Sequence, residues 1–189
     1  HLSLRRQRQM CIRDRASPMK RLLQGDVGSG KTIVAAAAVT ATIKNNKQAA
    51  LMAPTEVLAE QHLTSFKKYL EYFDVDIHLL TSSVKDREDI YEIIDRGDPV
   101  LIIGTHALIQ DKVNFNNLGL AIIDEQQRFG VEQRKKLVDN DDFTPHQLVM
   151  TATPIPRTTA LAIYGDLELS VIDELPPGRK KIKSRVLSG

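Results

Sequence analysis

The chain has 189 residues, 42% of them hydrophobic and 26% charged, proportions that suit a globular protein of one domain with a tail. Its longest apolar run, Ile33 to Ile43, is too short and too alanine-rich to span a bilayer, and no apolar stretch follows the basic N-terminus as a secretory signal requires. A single cysteine, Cys11, excludes an internal disulfide and points to a reducing compartment, by default the cytoplasm.

The formal net charge of +2 conceals an asymmetry. Residues 1–21 hold Arg5, Arg6, Arg8, Arg13, Arg15, Lys20 and Arg21 against one acid, Asp14. The remainder carries 19 basic and 23 acidic residues, a net of −4, so a polyanionic partner has to be held by local patches. The arm of residues 1–15 does not begin with Met and has no clear period. A basic arm can bind nucleic acid. The favoured reading is that it is not native: "RQRQMCIRDR" resembles translated sequencing-adapter read-through, and the domain then begins near Ala16, in a piece of a longer gene product.

From Met19 the elements alternate. "MKRLLQGD" reads as a short strand ending in a glycine turn, and Lys31 to Lys44 as an alanine-rich helix. "QAALMAP" is a strand stopped by Pro54. Glu56 to Tyr69 places Val57, Leu58, Leu63, Phe66 and the following Leu70 close to a helical period. "VDIHLLT" is a strand, and Asp86 to Arg96 a charged amphipathic helix with Ile90, Ile93 and Ile94 inward. "PVLIIGT", "LGLAIID" and "QLVMTAT" read as strands, Thr158 to Tyr164 as a helix and "LELSVI" as a last short strand. Strands that are apolar throughout, alternating with helices, predict an α/β fold with a parallel sheet covered on both faces. The domain is expected over residues 16–175. Residues 176–189, rich in Pro and Lys, read as a linker leaving it.

The first chemistry-bearing stretch is "GDVGSGKT", Gly25 to Thr32, which fits G-x-x-x-x-G-K-[ST] at every fixed position. It follows a predicted strand and opens a predicted helix, the context the motif requires. Gly25, Gly28 and Gly30, with Val27 and Ser29 between them, allow backbone angles that turn successive N–H groups into one concavity. The helix N-terminus adds partial positive charge beneath it. Lys31 is then the expected partner of the β- and γ-phosphates of ATP and Thr32 of Mg²⁺. The competing account, a glycine-rich turn capping a helix, leaves the complete motif unexplained.

The second stretch is "LAIIDEQQRFG", residues 120–130. An apolar strand running into two adjacent acids can simply mark where it surfaces. Beside an intact phosphate loop the acids have separate uses: Asp124 to hold Mg²⁺, Glu125 to orient and deprotonate the attacking water. The strand bearing them is expected beside the first strand. Thr151 and Thr153, in "TATPIPRT", are placed to hydrogen-bond the acidic pair and sense the nucleotide, although Thr–Ala–Thr at a strand end is commonly turn chemistry.

In order, the phosphate loop, "APTEVLAEQH", "GTHALIQ", "DEQQRFG", "TATPIPR" and "DELPPGR" resemble the first RecA-like lobe of superfamily 2 helicases, and more narrowly the RecG family of bacterial ATP-dependent branched-DNA helicases. The likeness runs from about Met19 to the C-terminus. Transcription-repair coupling factors share "TATPIPR" and "GTH" but look less like "GDVGSGKT" and "GTHALIQ". The resemblance implies a P-loop, RecA-like fold, ATP and Mg²⁺ as cofactors, and forked or Holliday-type DNA as partner of a monomeric protein. By the same likeness Thr55 and Gln61 of "PTEVLAEQ" contact the DNA backbone, and Thr105 and His106 of "GTHALI" face DNA. The competing accounts are a helix N-cap for Thr55 and an ordinary loop histidine for His106. Arg128 and Arg157 would couple ATP state to DNA, with surface salt bridges as the alternative.

Two departures stand out. The family usually has His as the fourth residue of the acidic motif, linking the γ-phosphate site to the second lobe; here it is Gln127, which hydrogen-bonds but carries no charge. "LTSS", Leu80 to Ser83, stands where the family tends to have Gly third. The family's upstream adenine-reading glutamine, its wedge domain and its second lobe with an arginine finger are expected outside this chain, whose own hydrolysis is therefore expected to be slow. Two rival classes are a non-helicase P-loop ATPase and a degenerate, nucleotide-independent interaction lobe; "PTEVLAEQ" with "TATPIPR" argues against the first, and intact Lys31, Thr32, Asp124 and Glu125 against the second.

Overall fold

The computed structural model describes residues 18–85, 87–125, 137, 144–153 and 167–173. Seven strands form one sheet: β1 (Lys20–Gly25), β2 (Gln48–Met52), β3 (Asp76–Leu80), β4 (Val100–Gly104), β5 (Leu118–Asp124), β6 (His146–Thr151) and β7 (Glu168–Ile172). Their order is β3-β4-β2-β5-β6-β1-β7, and every pairing is parallel. Three helices are described: α1 (Lys31–Ile43), α2 (Glu56–Tyr69) and α3 (Glu88–Arg96).

The strands are apolar throughout because both faces are covered. Alternate side chains point to opposite faces, and the buried clusters sort accordingly. Ala49, Leu51, Leu101, Ile103, Leu120 and Ile122 join Ala35, Ala36, Val39 and Ile43 of α1 and Phe66 of α2. Ala50, Met52, Val100, Ile102, Ala121 and Ile123 join Ile90 and Ile94 of α3 on the other face. Ala35, Ala36, Val39, Thr42 and Ile43 are the buried residues of α1 and fall at helical spacing, so the helix lies against the sheet partly through small side chains. Helix α3 carries Glu88 and Asp89 in its first turn and Arg96 in its last, matching the helix dipole. It stops at Gly97, whose φ of 78° is left-handed.

Gln48 is fully buried and satisfied: its amide donates to Ile94 O (2.8 Å) and accepts from Asn117 N (3.0 Å), tying β2 to the end of α3 and the entry to β5. At the opposite edge Arg21 donates to Ser170 Oγ and Glu168 Oε2, both at 2.5 Å, and clamps β7 onto β1.

A parallel sheet puts all its carboxyl ends on one edge, where α/β proteins bind ligands. The phosphate-loop motif follows β1, "PTEVLAEQ" follows β2, "LTSS" closes β3, "GTHALI" follows β4, the acids close β5 and "TAT" closes β6. One expectation needs correction. β5 is not beside β1: β6 lies between them. The wall between loop and acids is therefore Thr151 and the residues after it. The helix expected over Thr158 to Tyr164, the arm of residues 1–15 and the tail of residues 176–189 lie outside the described residues.

Candidate functional site

The loop between β1 and α1 has the shape its glycines permit. Gly28 and Gly30 have φ of 81° and 97°, in the left-handed region that favours glycine. Ser29 N–H donates to Asp26 O (3.1 Å), closing the turn. A Cβ added to Gly30 would meet nothing within 4 Å, so the loop is open on that side. A Cβ added to Gly25 would lie 2.5 Å from Ser29 Oγ and 3.1 Å from Ile172 Cβ, so on the sheet side it is tight. Val27 at the tip is 74% exposed.

Two polar groups inside the loop are set for a ligand. Ser29 Oγ is buried and has no hydrogen-bond partner among the described residues. Lys31 Nζ folds back and donates to the carbonyls of Gly25 (2.7 Å) and Asp26 (2.9 Å). Burial lowers the Lys31 pKa from the ordinary lysine value, against the opposing pull of Asp124, Glu125 and Asp26. A charge held in a partly desolvated place gains from an anion brought to it. Thr32, half-buried, follows in the first turn of α1.

Asp124 closes β5 and is buried. Its Oδ2 lies 2.7 Å from Nε2 of His62 on α2. Glu125, the next residue, has a φ of 50°, rare for a side chain with a Cβ. That turn directs the two neighbouring carboxylates differently. Glu125 N–H still donates to Met150 O (2.9 Å), prolonging the β5–β6 ladder. Its carboxylate accepts from Ala152 N–H (3.0 Å) at Oε1 and from Thr151 Oγ1 (3.5 Å) at Oε2. The Thr151 and Thr153 hydroxyls are 2.8 Å apart, and Thr153 N–H donates to Thr151 Oγ1 (3.2 Å). Thr151 thus reaches the acidic pair directly and Thr153 reaches it through Thr151.

The residues read as DNA-facing divide. Thr55 caps α2, its Oγ1 accepting from Leu58 N–H (3.3 Å); the residue is exposed, as are Gln61 and His106. Thr105 is 2% exposed, and its Oγ1 has no partner among the described residues, so of the "GTH" pair only His106 lies at the surface. Replacing the cap with Thr55→Ala is expected to cost about 1 kcal/mol, a fall of a few degrees in a thermal melt, with nucleotide affinity unchanged. In "LTSS" the turn forms without a left-handed residue: Ser82 N–H donates to Glu56 Oε1 (2.8 Å), and Thr81 and Ser83 hydroxyls bond at 2.9 Å. Gln127, Arg128 and Arg157 lie outside the described residues.

Sequence reasoning passed over His62. It closes the quoted stretch "APTEVLAEQH", but nothing in its spacing tells that it meets an acid 62 residues further along.

Residues 5–162 match the model of the DEAD/DEAH box helicases. The chain belongs to that family. Among curated proteins, this helicase-family chain is 56% identical over 175 residues to the ATP-dependent DNA helicase RecG of Bacillus subtilis, covering 90% of this chain and 26% of that protein. It is 55% identical over 172 residues to RecG of Aquifex aeolicus, covering 89% and 22%. Among solved structures it is similar to RecG bound to a three-way DNA junction, with a TM-score of 0.76 and 45% identity over 89% of this chain and 22% of that one. The Hef helicase domain of Pyrococcus furiosus shares the fold, with a TM-score of 0.62 at 19% identity, over 82% of this chain and 35% of that one. The chain thus spans about a quarter of the length of the curated relatives it matches.

Proposed function

We propose that this chain is the first RecA-like motor lobe of a RecG-type helicase, which binds Mg·ATP at the edge formed by β1, β6 and β5 and, within a longer protein, couples hydrolysis to unwinding and branch migration of forked DNA in repair and recombination. One observation carries the reading. The phosphate loop, with Lys31 and a Ser29 hydroxyl that has no partner among the described residues, opens at the same sheet edge as a Glu125 carboxylate bonded to the Thr151–Thr153 strand end.

The residues fit the nucleotide. Backbone N–H groups of residues 28–32 and the α1 N-terminus suit phosphate oxygens, and Lys31 would exchange two carbonyls for the β/γ-phosphates. Among the described residues no group of three or more His, Cys, Asp or Glu stands together as a metal cage. That suits Mg²⁺, which is held by one or two carboxylates together with phosphates and water; here Thr32 and Asp124 would hold it. When bound, the ion neutralises phosphate charge as the terminal bond breaks. Glu125, held by Ala152 N–H and facing Thr151, orients a water and takes its proton. Movement of the "TAT" end with nucleotide state then reaches the Glu125 carboxylate through those same two bonds.

The reading takes branched DNA, a wedge domain and a second lobe as partners in the longer protein, which acts as a cytoplasmic monomer. Gln127 in place of the usual His leaves hydrolysis possible and alters its coupling to the second lobe. Among the described residues no helix is long and apolar enough to cross a membrane. The test is a chimaera of the Bacillus subtilis relative in which this chain replaces its counterpart. Fork-stimulated ATP hydrolysis and fork unwinding are expected. A folded chimaera that neither hydrolyses ATP nor unwinds forks would contradict the reading.

A further inference from the structure

We propose that His62 is a positioning residue for Asp124, fixing the carboxylate that would hold Mg²⁺ and joining it to helix α2. This rests on the nucleotide-site reading above. Against a carboxylate, which only accepts, the imidazole donates its Nε2–H, here at 2.7 Å. Both side chains are nearly enclosed, 12% and 13% exposed, so water competes poorly for the bond. The Phe66 ring, one turn further along α2 and fully buried, meets the His62 ring edge-on at 6.4 Å and 62° and limits its rotation. The bond engages Oδ2 of Asp124; Oδ1 would be the oxygen offered to the ion. Hydrogen bonds of this kind behind a metal-holding carboxylate fix its orientation, and their loss typically weakens metal binding about 10- to 100-fold.

The same bond places α2 in mechanical contact with the site. The helix starts at Thr55 and carries Gln61 exposed beside His62. Any displacement of α2 along its axis pulls on Asp124 through a single side chain.

The test uses the 189-residue chain, a fluorescent ADP analogue and Mg²⁺ titrated from zero, with thermal melts as a control on folding. For His62→Ala the Mg²⁺ concentration at half-saturation is expected to rise about 10-fold, with affinity for the metal-free nucleotide unchanged. His62→Gln, whose amide nitrogen lies the same three bonds from Cβ as Nε2, is expected to restore most of the Mg²⁺ response. His62→Asn, one atom shorter, is not. The Gln and Asn pair decides the matter even if the alanine variant does not fold. A Mg²⁺ midpoint that is the same in wild type, Gln and Asn variants overturns the inference. So does an equal loss of nucleotide affinity with and without Mg²⁺ that follows the melting temperature, since that is a purely structural role. A folded wild type that binds no nucleotide at all overturns the site reading itself, and the inference with it.

Discussion

Glu125→Gln in the chimaera is expected to lower fork-stimulated ATP hydrolysis by about 10³-fold, in the range general-base catalysis contributes, while nucleotide affinity changes by less than about threefold. The amide keeps the two shorter bonds at this residue and gives up the long one from Thr151 Oγ1 (3.5 Å). Its carbonyl oxygen still accepts from Ala152 N–H, now at 3.0 Å from Oε1, and the backbone bond from Glu125 N–H to Met150 O is untouched. What it loses is the capacity to take a proton from water. The left-handed φ of 50° costs roughly 1–3 kcal/mol for a residue with a Cβ, and it persists because the ladder bond and the Ala152 bond both hold the residue in place. A strained position at a strand end is one to test for function. Single-turnover ATP hydrolysis checks the prediction. Equal rates in wild type and variant would remove Glu125 from the chemistry.

Gly104→Ala is expected to destabilise the chain by about 3 kcal/mol or more, beyond the usual cost of overpacking, which lowers the melting temperature by roughly 6–12 °C in a protein of this size. A Cβ there would lie 2.2 Å from Leu80 O and 3.2 Å from Leu80 C, both backbone atoms, and 3.0 Å from Leu108 Cγ. Leu108 can yield, but the Leu80 carbonyl cannot without parting β3 from β4, which pair at Leu80 and Gly104. Gly119→Ala is the useful contrast. Its nearest obstacles are Lys47 Cβ and Cδ, at 2.8 Å each, and Thr42 Cγ2, at 3.1 Å; Cδ can swing away but Cβ moves only with its backbone, so a smaller loss, about 1–2 kcal/mol, is expected. Thermal melts of the two variants measure the difference.

Much of the fold was legible because both of its signals are local. The runs "QAALM", "VLIIG" and "LGLAIID" are short and apolar, which suits a buried strand or a piece of buried helix, and their alternation with helical segments favoured strands; β2, β4 and β5 occupy them. The phosphate loop was legible because the spacing of its glycines from Lys31 and Thr32, between a strand and a helix, is specific to that use. Strand order was not, since no local pattern tells that β6 inserts between β1 and β5. The same limit hid His62: helical periodicity shows which face of α2 is inward but not which strand end it meets. Thr105 looked like a loop residue by its neighbours His106 and Gly104, yet at the head of the turn His106–Ile109 it is buried. Lys31 was assigned to phosphates by motif; that its amine reaches Gly25 O and Asp26 O depends on a loop curvature that the sequence permits without specifying.

The measurement that decides most is Mg·ATP binding by titration calorimetry on this chain, wild type against Lys31→Ala. Removing the Lys31 side chain gives up its bonds to the Gly25 and Asp26 carbonyls and relieves a partly desolvated charge, effects of opposite sign, so the variant is expected to stay folded, which a thermal melt checks. The lost phosphate contacts, at about 1.5–3 kcal/mol for a charged hydrogen bond, should weaken binding by roughly 10- to 100-fold. Binding by the wild type that weakens to that extent in a folded variant places the nucleotide on the β1–α1 loop. Equal binding by both proteins, or none by a folded wild type, contradicts the site described here.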